Sequence, residues 1–370
     1  MSSPSTPSHI PYRAFSLLAS KPIFLLIAAI LIIVLGVVGM RAILGVGGAQ
    51  PEVPSETQST ESSIPVEDAT AQPVEEETRP VAGAFDYDAF TSSPAEVTSF
   101  SLTDDSAPLL SDEDARTLLD DVGSIQNFGT VGFVFVDLQS GCGLSYNADA
   151  ASYTASSFKM PYATYICQHL DAGDLTFQDL CTVTTSMDGT LVAGQSYSVS
   201  DLLQNMILIS GNDSFVALRM SYDQLGIDSW LADQGVWDAS AASTQYPVCS
   251  TRSLIKLWAN TYDYFQSGTG ASQWLMDLAA NTNISFIREV LAGQGATVLN
   301  KAGWFATDDV YSRCVADAGI ILDEDGNAYL MAILTNMSYD TGTASLVETL
   351  AADLYSLRDE PGVVDAQEEV

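Results

Sequence analysis

The stretch ASSFKMP, residues 155–161, is the most informative part of the sequence. It places a serine and a lysine three positions apart, just before an apolar segment. Side chains at positions i and i+3 are neighbours on a helix, so Ser156 and Lys159 would share one face. A serine hydroxyl is a weak nucleophile until a base takes its proton, and a lysine with a lowered pKa can be that base. The chain has four lysines against 47 acidic residues, which makes the position of this lysine informative.

Two further short motifs follow along the chain, SGN at residues 210–212 and KAG at residues 301–303. The order S-x-x-K, S-x-N, K-x-G is a signature of serine nucleophiles activated without histidine. It predicts Ser210 as a proton relay, Asn212 as a donor to a substrate amide carbonyl, and Lys301 as a second cation that lowers the pKa of Lys159. Taken alone, the second motif fits a helix end and the third fits a lysine that protects a strand edge.

The histidine inventory excludes the commonest alternative. The chain has two histidines, His9 and His169. His9 precedes the apolar N-terminal segment, and His169 lies thirteen residues after Ser156, too far along one helix to reach its hydroxyl. A Ser-His-Asp triad is therefore excluded.

The composition limits the class of partner. A formal net charge of −34 and a pI near 4.1 exclude nucleic acid, because no basic face could gather phosphates. Such acidity is typical of a solvated, self-repelling surface, and a habitat high in salt would also fit it. No grouping of histidine and cysteine has metal-ligand spacing, so we predict no metal and no cofactor. The five cysteines allow one or two disulfides, whose pairing stays open.

Residues 22–40 are uncharged and almost wholly apolar, which is just long enough to cross a membrane as a helix. Positive charges before this segment predict a cytoplasmic N-terminus at residues 1–21 and a single-pass anchor with the rest of the chain outside the cell. A cleaved secretory signal is the alternative, because small residues at 47–49 would suit cleavage.

The remaining chain divides by composition. Residues 42–105 are rich in Pro, Ser, Thr and Glu, which predicts a disordered acidic linker. Residues 106–360 carry the motifs and the periodic apolar patterns of a folded domain, and residues 361–370 form an acidic tail.

Hydrophobic patterning within that domain predicts five strands: Val131–Leu138, Gly143–Asn147, Val298–Trp304, Val310–Leu322 and Ala328–Thr335. Helices are predicted to begin near Ser111 and at Ser198, and to include the apolar stripe between Leu346 and Leu357. Residues 156–297, between the second and third strands, look helical. We therefore predict an α+β (α/β) fold with a five-stranded antiparallel sheet, flanking terminal helices and an all-helical insertion.

Residues 111–358 resemble the class A β-lactamase and penicillin-binding-protein superfamily of serine hydrolases, with 155–161 as the closest match and 189–212 as the next. The resemblance implies that Ser156 is acylated, that Lys159 is its base, and that Ser210, Asn212 and Lys301 complete the catalytic set. It also implies an oxyanion hole formed by the backbone N–H groups of Ser156 and Trp304.

Two substrate contacts are also expected. The edge strand that contains Gly303 would align a peptide-like substrate along its backbone. Arg313 would face a substrate carboxylate, or else be a strand-surface arginine.

The match departs from the family at several positions. No glutamate occurs between Glu113 and Glu289, so the glutamate that activates the deacylating water in class A enzymes is missing, and Asp238 is the only carboxylate in the corresponding stretch. Ala302 replaces a hydroxyl residue, and Gly211 replaces the usual aspartate. Acylation is therefore better supported than fast hydrolysis of the acyl-enzyme.

These observations predict a membrane-anchored, extracytoplasmic serine hydrolase that forms an acyl-enzyme at Ser156 with a β-lactam or a related amide. Two alternatives stay open. One is a D-Ala-D-Ala carboxypeptidase-type penicillin-binding enzyme acting on peptidoglycan peptides. The other is a non-hydrolytic penicillin-binding or sensing module.

Overall fold

The computed structural model describes four parts of the chain, residues 80–103, 107, 109–239 and 246–358. The predicted cytoplasmic segment, membrane span and acidic tail lie outside these residues. Within the described part, no helix is both long enough and apolar enough to cross a membrane.

The described residues form strands β1 (Thr98–Ser101), β2 (Val131–Asp137), β3 (Cys142–Tyr146), β4 (Ala151–Tyr153), β5 (Leu180–Thr182), β6 (Ser196–Ser198), β7 (Val248–Ser250), β8 (Thr297–Phe305), β9 (Cys314–Leu322) and β10 (Ala328–Thr335). The helices are α1 (Asp112–Gln126), α2 (Lys159–Ala172), α3 (Val199–Leu208), α4 (Asn212–Tyr222), α5 (Ile227–Asp233), α6 (Thr251–Gln266), α7 (Gly270–Ala280), α8 (Phe286–Leu291) and α9 (Thr341–Ser356).

The main sheet is antiparallel and has the order β1-β3-β2-β10-β9-β8. All five predicted strands are present in it, and the α+β architecture with flanking terminal helices is confirmed. The predicted count of five strands is wrong, because β1 adds a sixth strand at the edge next to β3. The fourth predicted strand also begins later, at Cys314, because the Asp309 carboxylate accepts hydrogen bonds within the turn that precedes it.

Strand β1 lies inside the segment that composition assigned to the disordered linker. Phe100 of this strand is buried and its ring stacks on that of Phe90, with the centroids 4.0 Å apart. The backbone N–H of Asn147 donates to the carbonyl of Ser93 at 2.8 Å. The predicted linker boundary near residue 105 is therefore too late, because residues 80–103 contribute three aromatic rings to the core, those of Tyr87, Phe90 and Phe100.

The insertion between β3 and β8 is mainly helical, but the prediction that it is all helical is wrong. Strand β4 pairs with β7, and β5 pairs with β6, in two small antiparallel sheets. Each of these strands has three residues, which is too short for alternating polarity to reveal it.

Apolar side chains pack on both faces of the main sheet. One cluster joins the sheet to the insertion and includes Trp258 of α6. The other joins it to α1, α8 and α9 and includes Leu350 and Leu354, which belong to the predicted C-terminal stripe. The insertion thus lies on one face, which creates a cleft between it and the exposed edge of β8.

Local signals explain where the helices begin. Ser111 accepts a hydrogen bond from the backbone N–H of Asp114, and Ser198 accepts one from Asp201, as expected for N-caps. Both predicted helix starts are confirmed. The β9–β10 hairpin turns at Gly326, whose φ of 88° suits glycine.

All five cysteines are buried free thiols. The disulfides that the sequence allowed are therefore not formed.

We expect Phe100→Ala to lower the free energy of unfolding by about 3–5 kcal/mol, because it removes a large buried side chain. Chemical denaturation of the folded chain measures this. Phe128→Ala is the matched control, since Phe128 is 55% exposed and should change stability little. Equal effects of the two substitutions would mean that the segment before α1 is not part of the core.

Candidate active site

Ser156 lies in a strained turn between β4 and α2. Residues Ala155–Phe158 form a 3₁₀ turn, in which Ala155 has a φ of 44°, in the left-handed region. The Thr154 hydroxyl donates to the Pro247 carbonyl at 2.8 Å, which fixes the start of the turn. Such a conformation costs about 1–3 kcal/mol and persists where surrounding contacts enforce it. The turn presents Ser156 half-buried at the wall of a cavity.

Lys159 is the first residue of α2 and is fully buried. Its ammonium donates to the carbonyl of Ser210 at 2.5 Å and to Asn212 Oδ1 at 2.8 Å, and it lies 3.4 Å from Ser210 Oγ. The S-x-x-K and S-x-N motifs, about fifty residues apart in sequence, therefore meet in space.

Lys301 reaches the same serine from β8. Its ammonium donates to Ser210 Oγ at 3.1 Å and to the carbonyl of Ala302 at 3.0 Å, and its side chain is 2% exposed. The two lysines thus meet at the Ser210 hydroxyl. This position suits the proton relay that the sequence predicted for Ser210.

Burial controls the protonation of both lysines. It lowers the pKa of Lys159 well below its ordinary value, the positive charge of Lys301 lowers it further, and Asp188 opposes the shift. Burial also lowers the pKa of Lys301 to about 8, against the attraction of Asp317. Near neutral pH the pair favours a neutral Lys159 beside a protonated Lys301, which is the arrangement that a base at Lys159 requires.

Asp317 is a buried carboxylate beneath Lys301 that sequence reasoning missed. It accepts hydrogen bonds from the backbone N–H groups of Phe286 and Ile287, at the start of α8, and from Asn300. Burial raises its pKa to about 6, and these hydrogen bonds oppose the rise. Its pairing position is opposite Ala302, next to Lys301, so its charge favours the protonated form of that lysine.

The middle residue of the SGN turn packs against the Asn205 side chain. A Cβ at Gly211 would lie 1.7 Å from Asn205 Oδ1, so a larger residue here would have to displace that side chain and its hydrogen bond from the Ser214 hydroxyl. The Asn212 N–H donates to Asp188, a second carboxylate that sequence reasoning missed. Asp188 belongs to an Asp-Gly turn within the stretch that resembles the family, and that turn was its only available signal.

Tyr246 is the third residue that sequence reasoning missed. Its phenol donates to Asn212 Oδ1, and the Ser156 hydroxyl donates to the phenol oxygen. Burial raises the pKa of this phenol, so it stays a donor at neutral pH. No motif marks this position, because the contact joins segments far apart in the chain.

Gly303 brings β8 against the Ser156 turn. A Cβ at this position would lie 2.5 Å from the backbone N of Ser157 and 2.8 Å from that of Ser156. A side chain here would therefore push the strand away from the nucleophile. Gly303 is buried against protein backbone, while the next residue, Trp304, is half-buried and lines the cavity. The oxyanion hole assigned to Ser156 and Trp304 stays a prediction.

Three further residues singled out in the sequence, like the two lysines and Gly303, do not line the cavity. Arg313 precedes β9, and its Nε is buried without a hydrogen-bond partner. Asp238 accepts hydrogen bonds from the Ser250 N–H and the Ser253 hydroxyl at the start of α6. Ala302 is fully buried in the apolar cluster on the other face of the sheet.

The cavity has a volume of about 590 Å³, within the range of small-molecule sites. Among the described residues that line it, Asp188 carries the only formal charge. Its mouth includes the exposed apolar side chains of Met187, Ile209 and Phe305. The cavity therefore presents the Ser156 and Ser210 hydroxyls and the Asn212 amide beside apolar side chains.

A family model described as "Beta-lactamase enzyme family" matches residues 114–357, which include all three motifs. The chain belongs to this family. No curated protein matches the sequence. Membership of the beta-lactamase family is therefore shown by the family model. The solved structures show that the fold is shared.

Several solved structures share the beta-lactamase fold with this chain. "Structure of PBP-A" is 21% identical with a TM-score of 0.56 and covers 66% of this chain and 96% of that one. A beta-lactamase from Chitinophaga pinensis DSM 2588 is 16% identical with a TM-score of 0.57, covering 67% and 99%. A beta-lactamase from Sphaerobacter thermophilus DSM 20745 is 18% identical with a TM-score of 0.55, covering 66% and 97%.

We expect Lys301→Gln to move the acid limb of the pH–rate profile for Ser156 acylation to higher pH. Lys159 must be neutral to take a proton, and losing the nearby positive charge raises its pKa, so deprotonation needs a higher pH. The second-order acylation rate measured across pH tests this. Lys256→Gln is the control, because it removes a lysine that pairs with Asp88, away from the cavity. An unmoved limb in Lys301→Gln, or the same shift in both variants, would contradict the coupling.

Proposed function

We propose that this protein is a serine acyl-transfer hydrolase that opens a β-lactam or related amide by forming an ester at Ser156. The observation that carries the proposal is the meeting of two buried lysines at the Ser210 hydroxyl, beside a strained turn that presents Ser156 to a cavity. A site with one nucleophile, one low-pKa amine and one relay hydroxyl is suited to acyl transfer.

Acylation follows from these positions. The Ser156 oxygen attacks the substrate carbonyl carbon while the Lys159 amine takes the serine proton. Negative charge develops on the carbonyl oxygen, where the N–H groups of Ser156 and Trp304 would stabilise it. The carbon–nitrogen bond then breaks, and Ser210 passes its proton to the leaving nitrogen while it receives the proton that Lys159 accepted. The protonated Lys301 holds the Ser210 oxygen in place through its hydrogen bond.

We further propose that the acyl-enzyme is hydrolysed slowly. Deacylation needs a base for the attacking water, and Asp238, the only carboxylate of the expected stretch, is used at the start of α6. A penicillin-binding enzyme is therefore favoured over a fast β-lactamase. A second structure of the neighbour PBP-A, a mutant in an acyl-enzyme complex with penicillin-G, supports a β-lactam as the acyl donor.

Residues 22–40 support a location at the membrane. We propose that this apolar segment anchors the chain once, with residues 1–21 in the cytoplasm and the hydrolase domain outside. A site outside the cell would meet both β-lactams and cell-wall peptides.

We expect a fluorescent penicillin to label the wild-type protein once per chain, and Ser156→Ala to abolish the label because the nucleophile is removed. Intact mass spectrometry measures the adduct. Ser157→Ala is the control, since the neighbouring hydroxyl donates to the Thr154 carbonyl and takes no part in the chemistry.

Other results of this experiment distinguish the alternatives. Unlabelled wild-type protein would contradict acyl transfer to β-lactams. Rapid repeated turnover of a chromogenic cephalosporin would identify a true β-lactamase and contradict slow deacylation. Release of D-Ala from a peptide ending in D-Ala-D-Ala would identify the carboxypeptidase.

We expect the full chain to sediment with membranes and a variant lacking residues 1–41 to be soluble, because the apolar segment is removed. Fractionation followed by immunoblotting measures this. A carbonate wash controls for loose attachment. Full-length protein in the soluble fraction, or a mature mass that lacks the segment, would contradict the anchor.

A further inference from the structure

Tyr246 fills the space beside the nucleophile on the side of Lys159. Its side chain is 8% exposed, although it lines the cavity. The ring stacks on Phe215 with centroids 4.8 Å apart, and Tyr153 packs against its edge at 6.1 Å. The Lys159 ammonium lies 5.5 Å from the centre of the same ring.

The phenol is also hydrogen-bonded to the polar groups that a water molecule would need as partners in this space. Asn212 Oδ1 accepts from Tyr246 and from Lys159, so both of its acceptor positions are taken. The Ser156 hydroxyl is hydrogen-bonded to the same phenol. Water placed next to Ser156 with access to the Lys159 amine would therefore have to displace this ring.

Hydrolysis of an ester at Ser156 depends on such a water. Its oxygen must add to the ester carbonyl carbon while a base takes one of its protons. The bond from that carbon to the Ser156 oxygen then breaks, and the serine oxygen regains a proton. A neutral Lys159 amine can act as this base, and its Nζ lies 5.5 Å from the centre of the Tyr246 ring.

We propose that Tyr246 sets the lifetime of the acyl-enzyme by excluding the hydrolytic water from the space between Ser156 and Lys159. This inference rests on the proposed function, because it concerns the fate of the ester formed at Ser156. Slow hydrolysis of the acyl-enzyme then has two causes, the bulk of the Tyr246 ring and the missing glutamate that would activate the water.

The test compares acyl-enzyme lifetimes after a pulse of penicillin G, followed by intact mass spectrometry. Tyr246→Ala and Tyr246→Leu remove the ring and open the space, so we expect lifetimes at least about tenfold shorter than in the wild type. Tyr246→Phe keeps the ring and loses the hydroxyl, so its lifetime should stay within about threefold of the wild type. Acylation rates are measured separately, because the lost hydrogen bond to Asn212 affects that step.

Phe128→Ala is the control, since it removes an exposed aromatic ring that neither lines the cavity nor packs on Tyr246. Its acyl-enzyme should last as long as that of the wild type. One adduct per chain in each variant shows that the site is folded.

The inference is overturned by unchanged lifetimes in both Tyr246→Ala and Tyr246→Leu. It is also overturned by equal shortening in Phe128→Ala, or by Tyr246→Phe shortening the lifetime as much as Tyr246→Ala. Wild-type protein that forms no adduct at all overturns the proposed function itself, and is recognised before any variant is compared.

Discussion

The burial of two like charges around one hydroxyl is the constraint on which the rest of this structure depends. Lys159 and Lys301 both leave water and approach Ser210, which is unfavourable for two ammonium groups through desolvation and through mutual repulsion. Backbone carbonyls of Ser210 and Ala302 offset part of this, and the buried Asp317 favours the charge on Lys301. The favoured state is a neutral Lys159 amine beside a protonated Lys301, and this pair is the chemical basis of the site.

The two lysines come from different layers of the fold, the insertion and the main sheet, which meet at the site. Lys159 starts a helix of the insertion, whereas Lys301 lies on β8 at the exposed edge of the sheet. Close contact between the layers needs Gly303, because any Cβ there would collide with the backbone of the nucleophile turn. The two apolar clusters on either side of the sheet fix the distance between the layers, so the site inherits its geometry from the core.

The sequence predicted those parts of the molecule whose signals are local. The three motifs, the N-caps at Ser111 and Ser198 and five strands could be read directly, because period, capping chemistry and spacing are properties of short segments. Strand β1 was missed because its acidic, proline-rich surroundings look like a linker until Phe100 meets Phe90. Tyr246 and Asp317 were missed for the same reason, since each acts through contacts with residues distant in the chain. Asp238 accepts hydrogen bonds at the start of α6 and does not line the cavity, and the contact of Arg313 with a substrate carboxylate stays a prediction.

The free cysteines determine how the domain responds to oxidants and reducing agents. Burial raises the pKa of the Cys167, Cys249 and Cys314 thiols, so the reactive thiolate is scarce in the folded protein. Buried, protonated thiols react slowly with oxidants and alkylating agents. Because the five cysteines, all within the described residues, form no crosslink, we expect reducing agents to leave the stability of the domain unchanged.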